Sequence, residues 1–312
     1  MNKTAFLFPG QGSQSVGMGR ELAAAFPIAR QTFEEANEAL GFDLAELCFR
    51  GPEEQLRLTE FTQPAIFTVS VAALRVLAAA GATSDYFAGH SLGEYSANVA
   101  AGTIEFAAAA RTVRRRGQLM QEAVPAGQGA MAAILGMPLE TVITVCQDAS
   151  TEVGAPVEPA NMNTPEQTVI SGATAAVERA IGLAKERGAR RAVLLQVSAP
   201  FHCSLMQPAQ DALAPVLEGL PFLPAKVPVV VNVDAALVTD AEALRDALVR
   251  QVTGAVRWTQ SMQLLIAEGV TNFIEVGPGK VLSGLLRQID RSQKCGQAED
   301  PASIEKLLAA LS

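Results

Sequence analysis

The stretch that decides the fold is DYFAGHSLGEYSANVAA, residues 85–101, and its centre is GHSLG at residues 89–93. Residues 85–88 predict a short strand and residues 94–101 predict a helix, so a glycine-flanked serine lies between them. Gly-x-Ser-x-Gly in this setting is typical of a nucleophile elbow, a tight turn that exposes the serine hydroxyl. The alternative is an ordinary glycine-rich turn, because five residues alone are a weak signal.

Outward from the elbow, strand and helix patterns alternate along the chain. Short apolar runs predict further strands at residues 4–8, 227–233 and 272–276. Helical patterns fill the intervals between them, at residues 19–39, 64–80, 105–122, 241–252 and 258–268, and the chain ends in residues 279–289 and a short polar tail. Strands that alternate with helices of this length indicate an α/β fold with a mainly parallel sheet and helices on both faces.

The middle of the chain has a different pattern. Residues 127–197 predict strands and helices in the order β-α-β-β-α-β, which is the ferredoxin-like motif. We therefore predict an inserted ferredoxin-like α+β subdomain at residues 127–197. The α/β core is then formed by residues 1–126 together with residues 198–312.

Composition excludes several classes of protein. The chain has 312 residues, of which 49% are hydrophobic, and its formal net charge is −8. That charge argues against nucleic acid and against an anionic membrane surface as partners. We find no apolar run that approaches the ~20 residues of a membrane span, and no signal-peptide pattern at the start. The sequence therefore predicts a cytoplasmic protein.

The chain has only two histidines, His90 and His202, so few residues can activate a serine. His90 directly precedes Ser91, and neighbours at a strand end point to opposite sides, so we expect His90 to face away. His202 is left as the candidate base by elimination. The four cysteines show no C-x-x-C spacing, and together with two histidines they predict free thiols and no metal site.

Two further groups are needed around such a serine, one that orients the base and one that binds the oxyanion, and the orienting group is hard to find in the sequence. Carboxylates between Ser91 and His202, such as Asp148 and Glu152, are predicted on helix ends or loops of the subdomain. We therefore expect a backbone carbonyl or an amide to fix the imidazole tautomer. The loop FPGQGSQ at residues 8–14 lacks a complete nucleotide-binding pattern. A glycine-rich loop at a strand end can instead supply donors to an oxyanion hole.

Four arginines crowd the helix predicted at residues 105–122: Arg111, Arg114, Arg115 and Arg116. A solvated helix face is the ordinary explanation for such a cluster. At about 100° per residue, however, the four side chains cannot all point the same way. An arginine that faces a pocket would bind a carboxylate through two parallel hydrogen bonds.

Taken together, these segments resemble the malonyl-CoA:acyl carrier protein transacylases of bacterial fatty acid synthesis over nearly the whole chain. The agreeing segments are FPGQGSQ at 8–14, GHSLGEYSA at 89–97, RGQLMQEAVP at 116–125, NMNTPEQTVISG at 161–172, SAPFHC at 198–203, Gln251 ahead of VRW at 256–258, and EVGPGKVL at 275–282. Seven ordered motifs are far more specific than Gly-x-Ser-x-Gly alone. The resemblance implies a hydrolase-like core that carries the inserted ferredoxin-like subdomain.

The resemblance also implies roles for single residues. Ser91 would be the acylated nucleophile and His202 its base. Gln11 and the backbone amide of Leu92 would form the oxyanion hole. Two further residues complete the implied site: Arg116, which would bind the malonyl carboxylate, and Gln251, whose main-chain carbonyl would hold His202. The substrates would be malonyl-CoA and acyl carrier protein, with no metal or redox cofactor.

Other functions remain open at the level of the sequence. A transacylase of a polyketide synthase or a malonate decarboxylase would share these motifs. A serine thioesterase or esterase would share Ser91 and His202, yet it has no need for an arginine that binds an acyl carboxylate. A carrier-protein-binding module without catalysis is the third class, and the intact Ser91 and His202 argue against it.

A carrier protein is acidic, and so is this chain, so docking needs a local basic surface. Basic residues close together in the subdomain predict one side of that surface: Lys185, Arg187, Arg190 and Arg191. Lys280 and Arg287 would supply the opposite rim. A solvated helix end is the alternative explanation for such a charge cluster.

Overall fold

The apolar segment at the start of the chain lies in the middle of the larger of two sheets. In the computed structural model, which describes residues 3–197 and 199–311, this segment is β1 (Lys3–Phe8). Six of the described strands form the larger sheet, in the spatial order β10 (Cys295–Ala298), β9 (Val270–Val276), β1, β2 (Tyr86–Gly89), β7 (Val229–Val231) and β8 (Ala236–Val238). All neighbours are parallel except β7 and β8.

Helices cover both faces of this sheet. The helices of the described residues, including α8 and α9 of the smaller unit, are in chain order α1 (Arg20–Ala25), α2 (Pro27–Leu40), α3 (Leu44–Arg50), α4 (Glu53–Leu56), α5 (Thr59–Ala79), α6 (Gly93–Ala100), α7 (Phe106–Glu122), α8 (Leu139–Val153), α9 (Thr174–Glu186), α10 (Gln207–Glu218), α11 (Ala241–Arg250), α12 (Trp258–Ala267), α13 (Val281–Ile289) and α14 (Pro301–Leu311). A short 3-10 turn, Ser204–Met206, precedes α10. Apolar side chains of β1 contribute to a core on each face, Phe6 on one and Leu7 on the other, as expected of a central parallel strand.

The smaller sheet is antiparallel and has its own apolar core. Its spatial order is β4 (Val157–Thr164), β5 (Gln167–Ala173), β3 (Gly129–Leu135) and β6 (Arg191–Leu194). With α8 and α9 between strands, this is the predicted β-α-β-β-α-β order, and the predicted fold class is confirmed. The domain boundaries stay a prediction, because strand ends do not mark an independently folding unit, and the limits 1, 198 and 312 lie outside the described residues.

One backbone bridge joins the smaller sheet to the core near the carboxyl ends of the parallel strands. The Val256 N–H donates to Ala160 O at 2.8 Å, and the Met162 N–H donates to Val256 O at 2.9 Å. Ala160 and Met162 lie on β4, and Val256 lies in the loop between α11 and α12. The smaller sheet therefore covers the edge of the core at which the strand–helix loops converge.

Two predictions about elements are wrong, and so is the expectation that no apolar run approaches the length of a membrane span. Residues 19–39 form two helices, because Phe26 is extended (φ −121°, ψ 115°) and Pro27 starts a new helix behind it. The end of the chain, predicted as a short polar tail, forms β10 and α14. Helix α5 has 21 residues and contains an 18-residue window with a mean hydropathy of 1.4, so by length and composition it could cross a membrane. Within the protein, however, 78% of that window is buried, as in the core helix of a globular protein.

Candidate active site

The predicted elbow is present at the junction of β2 and α6. Ser91 lies in the left-handed region, with φ 52°, a conformation that costs energy for a residue with a Cβ. The flanking glycines are required by close packing. A Cβ at Gly93 would lie 2.1 Å from Phe8 O, and one at Gly89 would lie 1.9 Å from the Gly93 carbonyl carbon. The turn is therefore held tight against β1, and it carries Ser91 beyond the end of β2.

His202 is in hydrogen-bond contact with this serine. Its Nε2 lies 2.7 Å from Ser91 Oγ, although the two residues are 111 positions apart in the sequence. The side chain is buried and the backbone is left-handed, with φ 61°. This contact brings together the two residues that the sequence singled out as nucleophile and base.

Backbone carbonyls orient the imidazole, in agreement with the expectation from the sequence. His202 Nδ1 donates to Gln251 O at 2.9 Å and lies 3.1 Å from Gly254 O. Carbonyl oxygens only accept, so the proton is on Nδ1, and Nε2 is free to accept the Ser91 proton. Among the described residues, no carboxylate is hydrogen-bonded to His202.

Electrostatics keep this histidine neutral. Burial, followed by the nearby positive charge of Arg116, lowers the pKa of His202 from its usual 6.5 to about 3. A neutral imidazole is the form that can accept a proton. The site is therefore prepared for proton transfer from Ser91 at neutral pH.

Helix α7 places one of its four arginines inside the protein. Arg116 is 1% exposed, and its guanidinium donates to Gln63 Oε1 at 2.8 Å, Gln251 Oε1 at 2.9 Å and Ser91 Oγ at 3.2 Å. By contrast, Arg114 donates to Leu40 O, and Arg115 is exposed. Arg116 is thus the arginine of this helix that can meet an acyl group held at Ser91.

Both predicted oxyanion-hole residues line the cavity that contains Ser91. Leu92 follows the serine at the start of α6, and its backbone N–H donates to none of the described residues. Gln11 lies in the loop after β1, where its side-chain amide donates weakly to Thr59 Oγ1 at 3.4 Å. Donors at the start of a helix favour negative charge on a nearby oxygen.

The sequence is similar to that of known acyl transferases. The profile of the acyl transferase domain family matches residues 5–306. The chain belongs to the acyl transferase domain family. A malonyl CoA-acyl carrier protein transacylase of Bacillus subtilis is 51% identical over 311 residues, which are 100% of this chain and 98% of the relative.

Solved structures of acyl transferases share the fold. The malonyl CoA-acyl carrier protein transacylase of Coxiella burnetii matches with a TM-score of 0.97 and 43% identity, over 99% of this chain and 98% of that one. A type II polyketide acyl-carrier protein in complex with its malonyl-transacylase matches with a TM-score of 0.96 and 48% identity, over 99% and 100%. The predicted resemblance to this family is confirmed.

A polar network lies beneath the nucleophile of this acyl transferase, and the sequence did not reveal it. Gln251 Nε2 donates to Glu94 Oε2 at 2.8 Å and to Ser91 O at 2.9 Å. Asn232 Oδ1 accepts from the Ser91 N–H at 2.7 Å, and the Asn232 N–H donates to Glu94 Oε2 at 2.9 Å. Asn232 directly follows β7, and a polar residue after a parallel strand was the signal that could have revealed it.

The cavity of the acyl transferase is small and partly apolar. It has a volume of about 280 Å³ and is bounded on its apolar side by Met120, Met131, Val197, Phe201, Leu282 and Leu285. Phe201, directly beside His202, is 8% exposed and narrows the space next to the base. These dimensions suit a short acyl group.

His90, which the sequence predicted to face away from Ser91, contacts the smaller sheet. Its Nε2 lies 2.8 Å from Asn163 Oδ1 on β4, and its ring packs beside Trp258 at 5.4 Å between centroids. His90 also lines the cavity, but it makes no hydrogen bond to Ser91 within the described structure. It ties the elbow to the smaller sheet. Among the described residues, no group of three or more His, Cys, Asp or Glu side chains could hold a metal ion.

Proposed function

We propose that this protein transfers a malonyl group from malonyl-CoA to the phosphopantetheine thiol of an acyl carrier protein. The single observation that carries the proposal is the buried Arg116 guanidinium 3.2 Å from Ser91 Oγ. A cation at this position recognises an acyl group that ends in a carboxylate. The names of the relatives, malonyl CoA-acyl carrier protein transacylases, support the same substrate and acceptor.

The first half-reaction loads the serine. His202 Nε2 accepts the Ser91 proton as Oγ attacks the thioester carbonyl carbon. Gln11 and Leu92 donate to the oxyanion, and each such donor is worth roughly 2.7–4 kcal/mol. The C–S bond then breaks, the proton passes from His202 to the departing CoA thiolate, and malonyl-Ser91 remains.

The second half-reaction reverses these steps with a new thiol. The phosphopantetheine thiol gives its proton to His202 and attacks the malonyl ester, and the C–O bond to Ser91 breaks. The proton returns to Ser91 Oγ. A covalent intermediate of this kind gives ping-pong kinetics and needs no metal or redox cofactor. We place the reaction in the cytoplasm.

A serine thioesterase or esterase would use the same serine and histidine. Two observations disfavour it: Arg116 occupies the acyl side of the cavity, and the imidazole is oriented by carbonyls where esterases use a carboxylate. A polyketide carrier protein is an alternative acceptor of the same chemistry, as in the solved complex noted above.

Intact-protein mass spectrometry after denaturation tests the proposal. Mixing with malonyl-CoA gives a malonyl adduct on Ser91 in the wild-type protein, and none in Ser91→Ala. Ser96→Ala is the matched control, because Ser96 is a buried serine on the same helix α6. It keeps the adduct. A folded Ser91→Ala protein that still forms the adduct, or a wild-type protein that forms none, would contradict the proposal.

A further inference from the structure

Two buried, ionisable side chains lie beneath the elbow without an ion pair between them. Glu94 is 0% exposed and Arg116 is 1% exposed. Neither forms a salt bridge with any residue in the described ranges. A buried charge without a partner is costly, so the contacts that each side chain does make carry unusual weight.

Gln251 connects the two. Its Oε1 accepts from Arg116 Nη2 at 2.9 Å, and its Nε2 donates to Glu94 Oε2 at 2.8 Å. An amide can rotate by half a turn with almost no change of shape. After that rotation, the Gln251 amide N–H groups would face the N–H groups of Arg116, and the Gln251 carbonyl oxygen would face the carboxyl oxygen of Glu94. Glu94 and Arg116 therefore select one orientation of the amide.

Glu94 is itself fixed from the other side. Its Oε2 accepts a second hydrogen bond from the Asn232 N–H at 2.9 Å, and Asn232 Oδ1 in turn holds the Ser91 N–H at 2.7 Å. The other oxygen, Glu94 Oε1, is buried and has no partner in the described structure. One oxygen thus makes all of these contacts, and it makes them as an acceptor.

Both protonation states of Glu94 can keep this arrangement. Burial raises the pKa of the Glu94 carboxyl to about 7. A proton on Oε1, the oxygen without a partner, leaves Oε2 as the acceptor for Asn232 and Gln251. The acceptor oxygen, more than the negative charge, is what the network uses.

We propose that Glu94 is a positioning residue for acyl-group selection: it holds the Gln251 amide, and through it the Arg116 guanidinium, where a carboxylate-bearing acyl group is accepted. This inference rests on the proposed function. It adds a residue that does not touch the substrate and that acts through Gln251 and Arg116, three hydrogen bonds away from it.

The test is the ratio of Ser91 loading from malonyl-CoA to loading from acetyl-CoA. Acetyl has no carboxylate, so the rate of acetyl loading depends on the serine, the histidine and the fold. The rate of malonyl loading depends on Arg116 as well. Glu94→Met keeps the volume and removes the acceptor, and the ratio falls by about tenfold or more, since hydrogen bonds to charged groups are the strong ones. Glu94→Gln retains an acceptor oxygen and keeps the wild-type ratio or raises it.

Glu275→Met is the matched control. Glu275 is also 0% exposed, and it accepts from the Leu282 N–H, the Ser283 N–H and Ser283 Oγ, outside this network. Its loss lowers stability, so both loading rates change together and the ratio stays constant. If Glu94→Met does not fold, Glu94→Asp takes its place, because the shorter side chain withdraws the acceptor oxygen and lowers the ratio in the same way.

An unchanged ratio in the folded Met or Asp variant would overturn the inference. So would a Glu94→Gln ratio as low as that of Glu94→Met, because charge would then be the property that matters. Failure of the proposed function is a separate result: the wild-type protein would form no malonyl adduct on Ser91, whatever the Glu94 variants do.

Discussion

Arg116 is an arginine whose whole side chain lies inside the protein and whose hydrogen-bond acceptors are all neutral oxygens. Such a cation gains most from a partner that brings negative charge. We expect Arg116→Ala to lower malonyl loading by about 100-fold or more, and to lower acetyl loading much less. Initial rates of Ser91 loading from the two thioesters measure this.

Arg115 provides the control for this change. It is the neighbouring residue on α7, it is exposed, and its guanidinium bonds weakly to Gln118 at 3.4 Å. Arg115→Ala keeps both loading rates. Equal losses of malonyl and acetyl loading in Arg116→Ala would mean that Arg116 supports the fold and does not select the acyl group.

The depressed pKa of His202 links this residue to stability. Its pKa is about 3 in the folded protein against 6.5 in the unfolded chain. Between these values the unfolded chain binds more protons at this position, so the free energy of unfolding falls as pH falls from 6.5. We expect the wild-type protein to lose about 1–3 kcal/mol more than His202→Gln between pH 6.5 and pH 4.5.

Urea unfolding at the two pH values measures this difference, with His90→Gln as a comparison. Burial also lowers the pKa of His90, and the hydrogen bond to Asn163 opposes that shift. The same pH-dependent loss in wild-type and His202→Gln proteins would show that His202 does not titrate in this way.

The sequence predicted the reacting residues better than it predicted the residues that hold them in place. Ser91 has a local motif, and His202 followed because only two histidines exist. Glu94 and Gln63 have no comparable signal, since a glutamate or glutamine on a helix is usually solvated. Their importance comes from burial against Gln251 and Arg116, which only the tertiary fold creates.

The strand–elbow–helix element depends on contact between backbones. Gly93 lies so close to β1 that a Cβ would meet Phe8 O at 2.1 Å. We expect Gly93→Ala to lower the free energy of unfolding by about 1–3 kcal/mol and to abolish most Ser91 loading, because α6 must shift and carry the serine with it. Denaturant unfolding and the adduct assay measure the two effects.

Gly284→Ala is the matched change in an open position. Gly284 lies within α13, and a Cβ there would have no neighbour within 4 Å. Alanine is the better helix former by about 0.8–1.0 kcal/mol, so this variant is slightly stabilised and keeps loading. A stable, active Gly93→Ala protein would contradict the role given to this contact.

Elements were predictable where the pattern was local and strong. The strand at 4–8, the elbow and the βαββαβ order followed from periodicity and glycine positions. The break at Phe26 was missed because apolar spacing continues across it, with Pro27 in the favoured first position of the next helix. Strand β10 was missed because CGQA lacks β-branched residues, and it forms by pairing with β9.

At the scale of the whole molecule, a basic cleft lies between the smaller sheet and α13. It has a volume of about 830 Å³, and Arg190, Arg287 and Arg291 line it. Two residues of the predicted basic surface are partly neutralised, because Arg187 forms a salt bridge with Asp148 and Lys280 forms one with Glu299. Arg291 was not predicted as part of this surface, because it follows the end of α13 and comes to line the same cleft as Arg190 only in the folded protein.

We predict that this cleft receives an acidic carrier protein near the serine. Helix α13 contributes Arg287 to the cleft and Leu285 to the active-site cavity, so one helix borders both. With a net charge of −8, the protein as a whole repels an acidic partner, and docking relies on such a local positive surface. We expect the double variant Arg190→Glu, Arg287→Glu to raise the KM for carrier protein by about tenfold or more.

Loading of Ser91 from malonyl-CoA stays near the wild-type rate in that variant, because the acyl-binding residues are untouched. The control is the double variant Arg30→Glu, Arg111→Glu, two exposed arginines outside the cleft that give the same change in net charge. Its KM for carrier protein changes little. Salt raises the wild-type KM for carrier protein, since exposed charges are screened over ~8 Å at physiological ionic strength. Equal KM values for the two double variants would exclude this cleft as the docking surface, because net charge alone would then account for the effect.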